Sequence, residues 1–184
     1  MKFASLVTDL AGDKKDISYV SISIRDIEKQ DKENFEKVVV ETLSENHGFL
    51  SKNAEVNEVL ALFLNPLDAI KAAVEIQGRT GPINVIMGIG IHTSPTLVNE
   101  SKDQLKYASM GSAVSIARKI SQASKNNVLI SKDTKIKAGG EARVEPAGEY
   151  FLAKGISRRE SFKKDVDRIV KNIKSEGKGF GVIR

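Results

Sequence analysis

Two segments of the chain have residue types and a spacing that are typical of a nucleotide site. Residues 88–93 read Gly-Ile-Gly-Ile-His-Thr, a glycine-punctuated apolar run that ends in polar residues, and a predicted helix of small residues follows at 111–123. Glycine leaves one face of a strand bare, which often marks the close approach of another chain or a ligand. The chain has no cysteine and only two isolated histidines, His47 and His92, so any metal ion would have to be held by carboxylates.

The composition predicts one globular domain. At 184 residues with 40% apolar content, the chain is long enough to bury a core. We assign residues 1–184 to a single domain, with a core at about 18–158 and a C-terminal helix and tail at 159–184. No apolar run approaches the roughly 20 residues that span a bilayer, and the apolar stretch at the start is too short for a signal peptide. We therefore expect a cytoplasmic protein without a membrane partner.

The charge pattern argues against nucleic acid as a partner. The net charge of +5 and the pI near 9.3 permit anionic ligands, but aromatic residues make up only 5% of the chain and the basic residues are scattered among 24 acidic ones. Nucleic-acid binding usually needs a clustered basic face with stacking groups. We interpret the densest basic stretch, 154–178, as the solvated face of a helix.

The order of the predicted elements indicates an α+β fold. Residues 18–26 alternate polar and apolar side chains as a half-buried strand does, and from Asp31 the apolar residues recur at helical spacing until His47-Gly48. The other elements are a hairpin with strands at 48–52 and 58–64 around a polar turn at 53–57, a helix capped at Asn65-Pro66, a strand at 83–91, a helix at 111–123, a strand at 128–131 that ends in a turn, a strand within 143–152, and a C-terminal helix with an apolar stripe of Phe162, Val166, Ile169 and Ile173. The order β-α-β-β-α-β is typical of the ferredoxin-like split unit, an α/β sandwich with an antiparallel sheet and helices on one side.

Five segments, in this order and spacing, resemble the catalytic domain of the class III adenylate/guanylate cyclases. They are Val20-Ser-Ile-Ser-Ile-Arg-Asp-Ile27, Asn53-Ala-Glu-Val-Asn-Glu-Val-Leu-Ala-Leu-Phe63 with the following Asp68-Ala-Ile-Lys-Ala-Ala73, Met87-Gly-Ile-Gly-Ile-His-Thr93, Gly111-Ser-Ala-Val-Ser-Ile-Ala-Arg-Lys119 and Leu152-Ala-Lys-Gly-Ile156. The resemblance implies the cyclase homology fold, which is ferredoxin-like and similar to polymerase palms, with a mostly antiparallel sheet and helices packed on it.

The resemblance also implies a metal site that this chain retains only in part. Such cyclases hold two metal ions with two aspartates; Asp26 matches the first, and the second position is Asn57, which has no charge. Loss of a carboxylate from such a site removes on the order of several kcal/mol of transition-state stabilisation. Glu55 is the candidate substitute ligand, because strand alternation would place it on the same face as Asn57.

The nucleotide-binding positions of the family differ as well. Those that the resemblance assigns to this chain are Asn53 and Ala108 for base selection, Ser115 and Lys119 for the transition state, and Lys154 for phosphate. Among the two metal positions, the two base selectors and the two transition-state groups, only Asp26 is identical to the family residue. Arg118 is adjacent to Lys119, but one helical step rotates it by about 100°.

We therefore interpret the chain as a degenerate, non-catalytic cyclase domain in signal transduction. It would be a regulatory, nucleotide-binding or protein-interaction module that forms a homodimer and binds a nucleoside triphosphate or a protein partner. No cofactor is expected, except Mg²⁺ or Mn²⁺ with a bound nucleotide. The alternative is an active, unconventional adenylate/guanylate cyclase that forms a 3′,5′-cyclic nucleotide and pyrophosphate with Mg²⁺ or Mn²⁺, using Asp26 with Glu55 or Glu58 for metal. A third interpretation is scaffolding by dimerisation.

Several of these residues also have ordinary structural explanations. Asp26 would also suit the polar end of a strand, and Asn57 would suit a turn, because asparagine tolerates left-handed backbone conformations. His92 would orient the end of its strand by hydrogen bonding. We interpret Gly-Gly-Glu at 139–141 as a turn.

Overall fold

The computed structural model describes residues 1–8, 10–101, 103–108 and 112–157. These residues form nine β-strands in one sheet and four α-helices. The strands are β1 (Lys2–Leu6), β2 (Asp13–Ile27), β3 (Phe49–Ser51), β4 (Glu58–Phe63), β5 (Val85–Glu100), β6 (Gln104–Ala108), β7 (Val128–Ile130), β8 (Ala142–Ala147) and β9 (Tyr150–Ile156). The helices are α1 (Lys32–Glu45), α2 (Pro66–Arg79), α3 (Ala113–Ala123) and α4 (Lys132–Ala138), and a short 3-10 turn, Gly139–Glu141, precedes β8. None of the helices in these ranges is long and apolar enough to cross a membrane.

The predicted α+β fold is confirmed, with a sheet in which most neighbouring strands are antiparallel. The strand predicted at 18–26 lies within β2, and the predicted hairpin consists of β3 and β4. Helix α2 begins where its capping residues predict, since the Asn65 side chain accepts the N–H of Leu67 at 2.9 Å and Pro66 occupies the first turn.

Other parts of the chain differ from the sequence-based expectation. The sequence-based prediction lacks β1 and β6, each of which has five residues; β1 buries only Ala4 and gives no clear period, whereas β6 alternates exposed and buried side chains and was missed. The turn predicted after β7 is instead the start of α4, whose first turn is capped by Ser131 Oγ accepting the N–H of Thr134 at 3.1 Å. The segment predicted as one strand within 143–152 belongs to the hairpin of β8 and β9. The predicted C-terminal helix lies outside the described residues.

The two faces of the sheet carry separate cores, because successive side chains of a strand point to opposite faces. In β4, Ala61 and Phe63 belong to the core that α1 and α2 cover. Leu60 and Leu62 belong to the other core, together with Ala113 of α3. The expectation that the helices lie on one side of the sheet is therefore wrong for α3.

Strand β1 closes part of the sheet into a ring. The pairing order β2, β4, β3, β1, β6, β5 returns to its start, since β5 also pairs with β2 along almost its whole length. β1 is parallel to both of its neighbours, with Ala4 opposite Ser51 of β3 and Leu105 of β6. The backbone groups that β3 would otherwise leave unpaired at the sheet edge are thereby satisfied.

The end of α1 differs in detail from the predicted glycine stop. His47, not Gly48, takes the left-handed conformation, with φ of 63°. Gly48 is required for space, since a Cβ there would come within 3.0 Å of the Phe63 ring. The bare position after the helix therefore reflects packing against β4.

The bare face of β5 accommodates helix α3. A Cβ on Gly88 would lie closer than 3.0 Å to the carbonyl oxygens of Ser121 and Ser124, and a Cβ on Gly90 would collide with the α3 backbone at Ala117 and Ser121. The sequence predicted the close approach of another chain or a ligand; the neighbour is instead a helix of the same chain.

We expect Gly90→Ala to destabilise the protein by about 3 kcal/mol, because the added methyl meets helix backbone that cannot rotate away. Urea unfolding followed by circular dichroism measures the change. Gly78→Ala is the matched control: nothing lies within 4 Å of a Cβ at this position in α2, so alanine should be neutral or stabilise by up to about 1 kcal/mol. Equal stability of the two variants would contradict the role assigned to Gly90.

Candidate functional site

The polar turn at residues 53–57 rests against β2 beside Asp26. Asn57 is left-handed with φ of 59°, as predicted for a turn residue. Its carbonyl accepts the N–H of Ile24 at 2.9 Å. Asp26 follows Ile24 after a β-bulge, and it is exposed. The positions that resemble metal ligands, Asp26 and Asn57, therefore lie on neighbouring segments. Residues 53–57 do not form a strand, so the alternation of side chains along a strand does not determine where Glu55 points.

Arg118 of α3 holds this turn in place. Its Nε and Nη2 donate to the two carboxylate oxygens of Glu58 at 3.0 and 2.9 Å, a two-pronged contact. Its Nη1 lies 2.8 Å from a carboxylate oxygen of Glu55, and Nη2 also donates to the Asn53 carbonyl at 3.3 Å. One guanidinium therefore contacts two residues of the turn and the first residue of β4.

The Glu58 carboxylate is fully engaged by groups around it. It is 7% exposed, and besides Arg118 it accepts the Ser21 hydroxyl and the Glu55 N–H, both at 2.8 Å. A second hydroxyl, that of Ser121, lies 3.1 Å from Ser21 Oγ. β2, β4 and α3 are thus joined by one polar cluster, which consists of Ser21, Glu55, Glu58, Arg118 and Ser121.

The cluster keeps its charges at ordinary pH. Burial is the largest influence on the pKa of Glu58 and acts to raise it, but the hydrogen bonds from Arg118, the Glu55 N–H and Ser21, with the charge of Arg118, outweigh burial and lower the pKa. The hydrogen bond to Glu58 is the main reason that the pKa of Arg118 is raised. The ionised Glu58 carboxylate therefore faces a permanent cation.

These residues do not fit a site for two metal ions. Two-metal sites need anionic oxygen ligands from the protein on both ions. Both carboxylate oxygens of Glu58 are engaged by hydrogen bonds, whereas Glu55 is 65% exposed and meets Arg118 through one oxygen, so the segment offers one accessible carboxylate beside a guanidinium. Among the described residues, no three His, Cys, Asp or Glu side chains are grouped closely enough to hold a metal ion.

The two positions that resemble base selectors flank strand β1. The Asn53 side-chain oxygen accepts the N–H of Leu6 at 3.3 Å. Ala108 ends β6 opposite Leu97, one residue after Tyr107, which pairs with Leu6. Asn53 and Ala108 are therefore on either side of the same strand end.

Solved cyclase structures share this architecture. The adenylyl cyclase CyaB from P. aeruginosa matches with a TM-score of 0.66 and 14% identity over 81% of this chain and 98% of that chain. The guanylate cyclase domain of RhGC from Catenaria anguillulae, in complex with GTP, matches with a TM-score of 0.64 and 10% identity over 78% and 98%. A dimeric guanylyl cyclase domain of the RhoGC fusion protein from Blastocladiella emersonii matches with a TM-score of 0.60 and 12% identity over 78% and 98%. The chain has the fold of a nucleotidyl cyclase catalytic domain. No family model and no curated protein sequence matches it.

The remaining candidate residues of this cyclase-like fold lie on α3 and β9. Ser115 and Lys119 are exposed on α3, one helical turn from each other. Lys154 lies on β9, where its Nζ is 3.4 Å from the Glu145 carboxylate on β8. Strands β5 and β7 separate β2 from β9. A single copy therefore does not bring Lys154 together with Asp26.

His92 of the cyclase-like fold has a structural contact. Its Nδ1 lies 3.0 Å from Ser131 Oγ, the cap of α4, and 4.0 Å from a carboxylate oxygen of Asp133. Burial lowers the pKa of His92, and the charge of Asp133 opposes this shift only in part. The predicted role in orienting the strand end by hydrogen bonding is confirmed.

The pocket beside the polar cluster is small. Its volume is about 80 Å³, and Ser23, Val56 and Gln122 line it together with the cluster residues. Pockets that enclose a ligand are typically about 300–1,000 Å³, so this space does not enclose a nucleotide. The sequence-based prediction did not include the roles of Ser21, Ser121 and Arg118. Two glutamates around a turn, together with an arginine on a helix of small residues, are the pattern that could have predicted the ion pairs of Arg118.

We expect Arg118→Met to destabilise the protein by about 2–3 kcal/mol, because Glu58 loses its charged partner while 7% exposed. The cost should fall below the roughly 3–5 kcal/mol of a fully buried pair, since Arg118 is 23% exposed. Urea unfolding measures it. Lys119→Met, at the exposed neighbouring position, should change stability by less than about 0.5 kcal/mol.

A double variant separates the pair from simple packing. Adding Glu58→Gln to Arg118→Met removes the unpaired charge, so part of the lost stability should return. Additive losses in the two single variants and the double variant would contradict a direct coupling between Arg118 and Glu58.

We expect the stability of the protein to fall as pH decreases below about 6.5. The folded state lowers the pKa of His92, so it binds fewer protons there than the unfolded chain does; this contribution is complete above the unfolded pKa and is lost as pH falls through the folded pKa. Urea unfolding between pH 7.5 and 5 measures the slope. His92→Gln should flatten it, whereas His47→Asn at the exposed left-handed position should leave it unchanged.

Proposed function

We propose that this chain is a non-catalytic cyclase-like domain that regulates by binding a nucleoside triphosphate or a protein partner as a homodimer. The ion pairs of Arg118 with Glu55 and Glu58 are the main support for this proposal. They engage Glu55 of the turn and Glu58, the first residue of β4, and the turn meets β2 at Ile24, two residues before Asp26.

The charge at the site favours binding over catalysis. Asp26 is the one family metal ligand that the sequence keeps, and Asn57 brings no charge. Cyclisation requires a nucleophilic 3′-hydroxyl and a leaving pyrophosphate to be stabilised together, a task for which two cations are used in such sites. With one aspartate, a single Mg²⁺ or Mn²⁺ that arrives with the nucleotide and is held mainly by phosphate oxygens is the expected state.

The positions of the cations support a homodimer. Lys119 and Lys154 supply the positive charge for phosphate in this proposal, but Lys154 lies on β9 and β5 and β7 separate that strand from β2. A second copy would present its own Lys119 and Lys154 to Asp26 of the first. One matching structure of the RhoGC domain is a non-canonical dimer, another is monomeric, and the matching RhGC domain is in complex with GTP.

We expect purified protein incubated with ATP, GTP, CTP or UTP and Mn²⁺ to form no more cyclic product than the Asp26→Ala variant does. Mass spectrometry of the nucleotide products measures this. Product above that control would establish the alternative, an active cyclase with an unconventional metal site.

Binding is measured separately from chemistry. Calorimetric titration with the same four nucleotides should give a saturable signal, and light scattering should give a dimer mass. A dimer that binds none of the nucleotides would favour scaffolding or a protein partner, whereas a monomer that binds one would contradict the dimeric site.

A further inference from the structure

Strand β1 is held between two strands chiefly by its backbone. It pairs with β3 from Lys2 to Ala4 and with β6 from Phe3 to Leu6. Further backbone bonds join the Phe3 N–H to the Asp103 carbonyl at 3.0 Å and the Lys52 N–H to the Ala4 carbonyl at 3.2 Å. β1 therefore fills the whole gap between the β3–β4 hairpin and the end of β6.

The C-terminal end of β1 reaches both positions that resemble base selectors. The Leu6 N–H donates to the side-chain oxygen of Asn53 at 3.3 Å. The next residue, Val7, donates its N–H to the carbonyl of Tyr107 at 2.9 Å, directly before Ala108. The Asn53 amide oxygen, which could accept a hydrogen bond from a base, is thus occupied by the chain itself.

The side chains of β1 bury little apolar surface, although Lys2 lies over the Phe49 ring and Lys52 over the Phe3 ring. Ala4 is the only one of the five that is fully buried, and it is small. Phe3 and Leu6 are 40% and 44% exposed. Segments with few buried apolar contacts open locally at a lower free energy than the core does. Release of β1 would therefore expose hydrogen-bonding edges of β3 and β6 without dismantling either core.

We propose that β1 is a displaceable strand that occupies the base side of the nucleotide site, so that a nucleotide enters when β1 leaves. This inference rests on the proposed nucleotide binding. A base presents donors and acceptors along one edge, and these would replace the bonds that β1 makes with Asn53 and the neighbouring backbone. Unpaired hydrogen-bonding groups in an empty gap are costly, so either β1 or the nucleotide fills the gap. Because both would use the same hydrogen-bonding groups, they exclude each other.

A disulfide between β1 and β6 tests the proposal. Ser5 lies opposite Lys106 in parallel register, and paired strands lie about 4.8 Å apart, within the range of Cα separations that a disulfide bridges. Because the chain has no cysteine, Ser5→Cys with Lys106→Cys provides a single bond that locks or frees β1 in the same molecule. We expect the reduced form to bind ATP or GTP with Mn²⁺ at least tenfold more tightly than the oxidised form, as measured by calorimetry.

A second disulfide controls for oxidation itself. Ala147→Cys with Tyr150→Cys links β8 to β9, away from β1, and should bind nucleotide equally in both redox states. Equal affinity of the oxidised and reduced β1–β6 variant would overturn the displaceable strand and leave nucleotide binding intact.

The absence of nucleotide binding in both redox forms would overturn the proposed nucleotide function. Amide hydrogen exchange then measures whether β1 opens. The amides of Phe3, Leu6 and Val7 should exchange at least tenfold faster than those of the β2–β5 ladder. Exchange as slow as that of the ladder would identify β1 as a fixed part of the sheet and overturn the proposal.

Discussion

Helix α3 lies directly on the backbone of β5, and the rest of the site depends on that contact. Gly88 and Gly90 have no side chains, so the helix comes as close as backbone atoms allow. This approach brings Ser121 to Ser21 of β2 and carries Arg118 across to the polar turn at 53–57. A bulkier strand residue would hold the helix away, and the guanidinium would lose its two-pronged contact with Glu58.

The contact between Arg118 and the turn sets one guanidinium against two carboxylates beside the positions that resemble metal ligands. Glu58 is buried and anionic because four donors from three elements converge on it. A buried charge of this kind is tolerated only when it is paired, which fixes the turn and engages its carboxylates at the same time. Glu55 and Glu58 therefore pair with Arg118 at the place where a catalytic site would need them as metal ligands.

The ring of strands constrains the turn from its other side. β1 satisfies the edges of β3 and β6 with backbone bonds, and it engages the Asn53 side chain as well. Asn53 is therefore held from both sides, by Leu6 through its amide oxygen and by Arg118 through its carbonyl. The turn is a junction between the sheet ring and the helix, and both contacts constrain what it can bind.

The α+β fold, the hairpin, the cap of α2 at Asn65 and the bare strand face at Gly90 could be predicted from the sequence alone. Periodicity, capping and missing side chains are local properties that the sequence shows directly. It could not determine β1, whose five residues bury one alanine and are ordered only by strands distant in sequence. The sequence-based prediction also placed Arg118 away from the site. The rotation between successive helical residues gives the direction of a side chain relative to its helix, but it does not give the segment that the side chain contacts. The partners of Arg118 are set by packing, because α3 and the turn are distant in sequence, and it is their contact in the folded chain that pairs one guanidinium with Glu55 and Glu58.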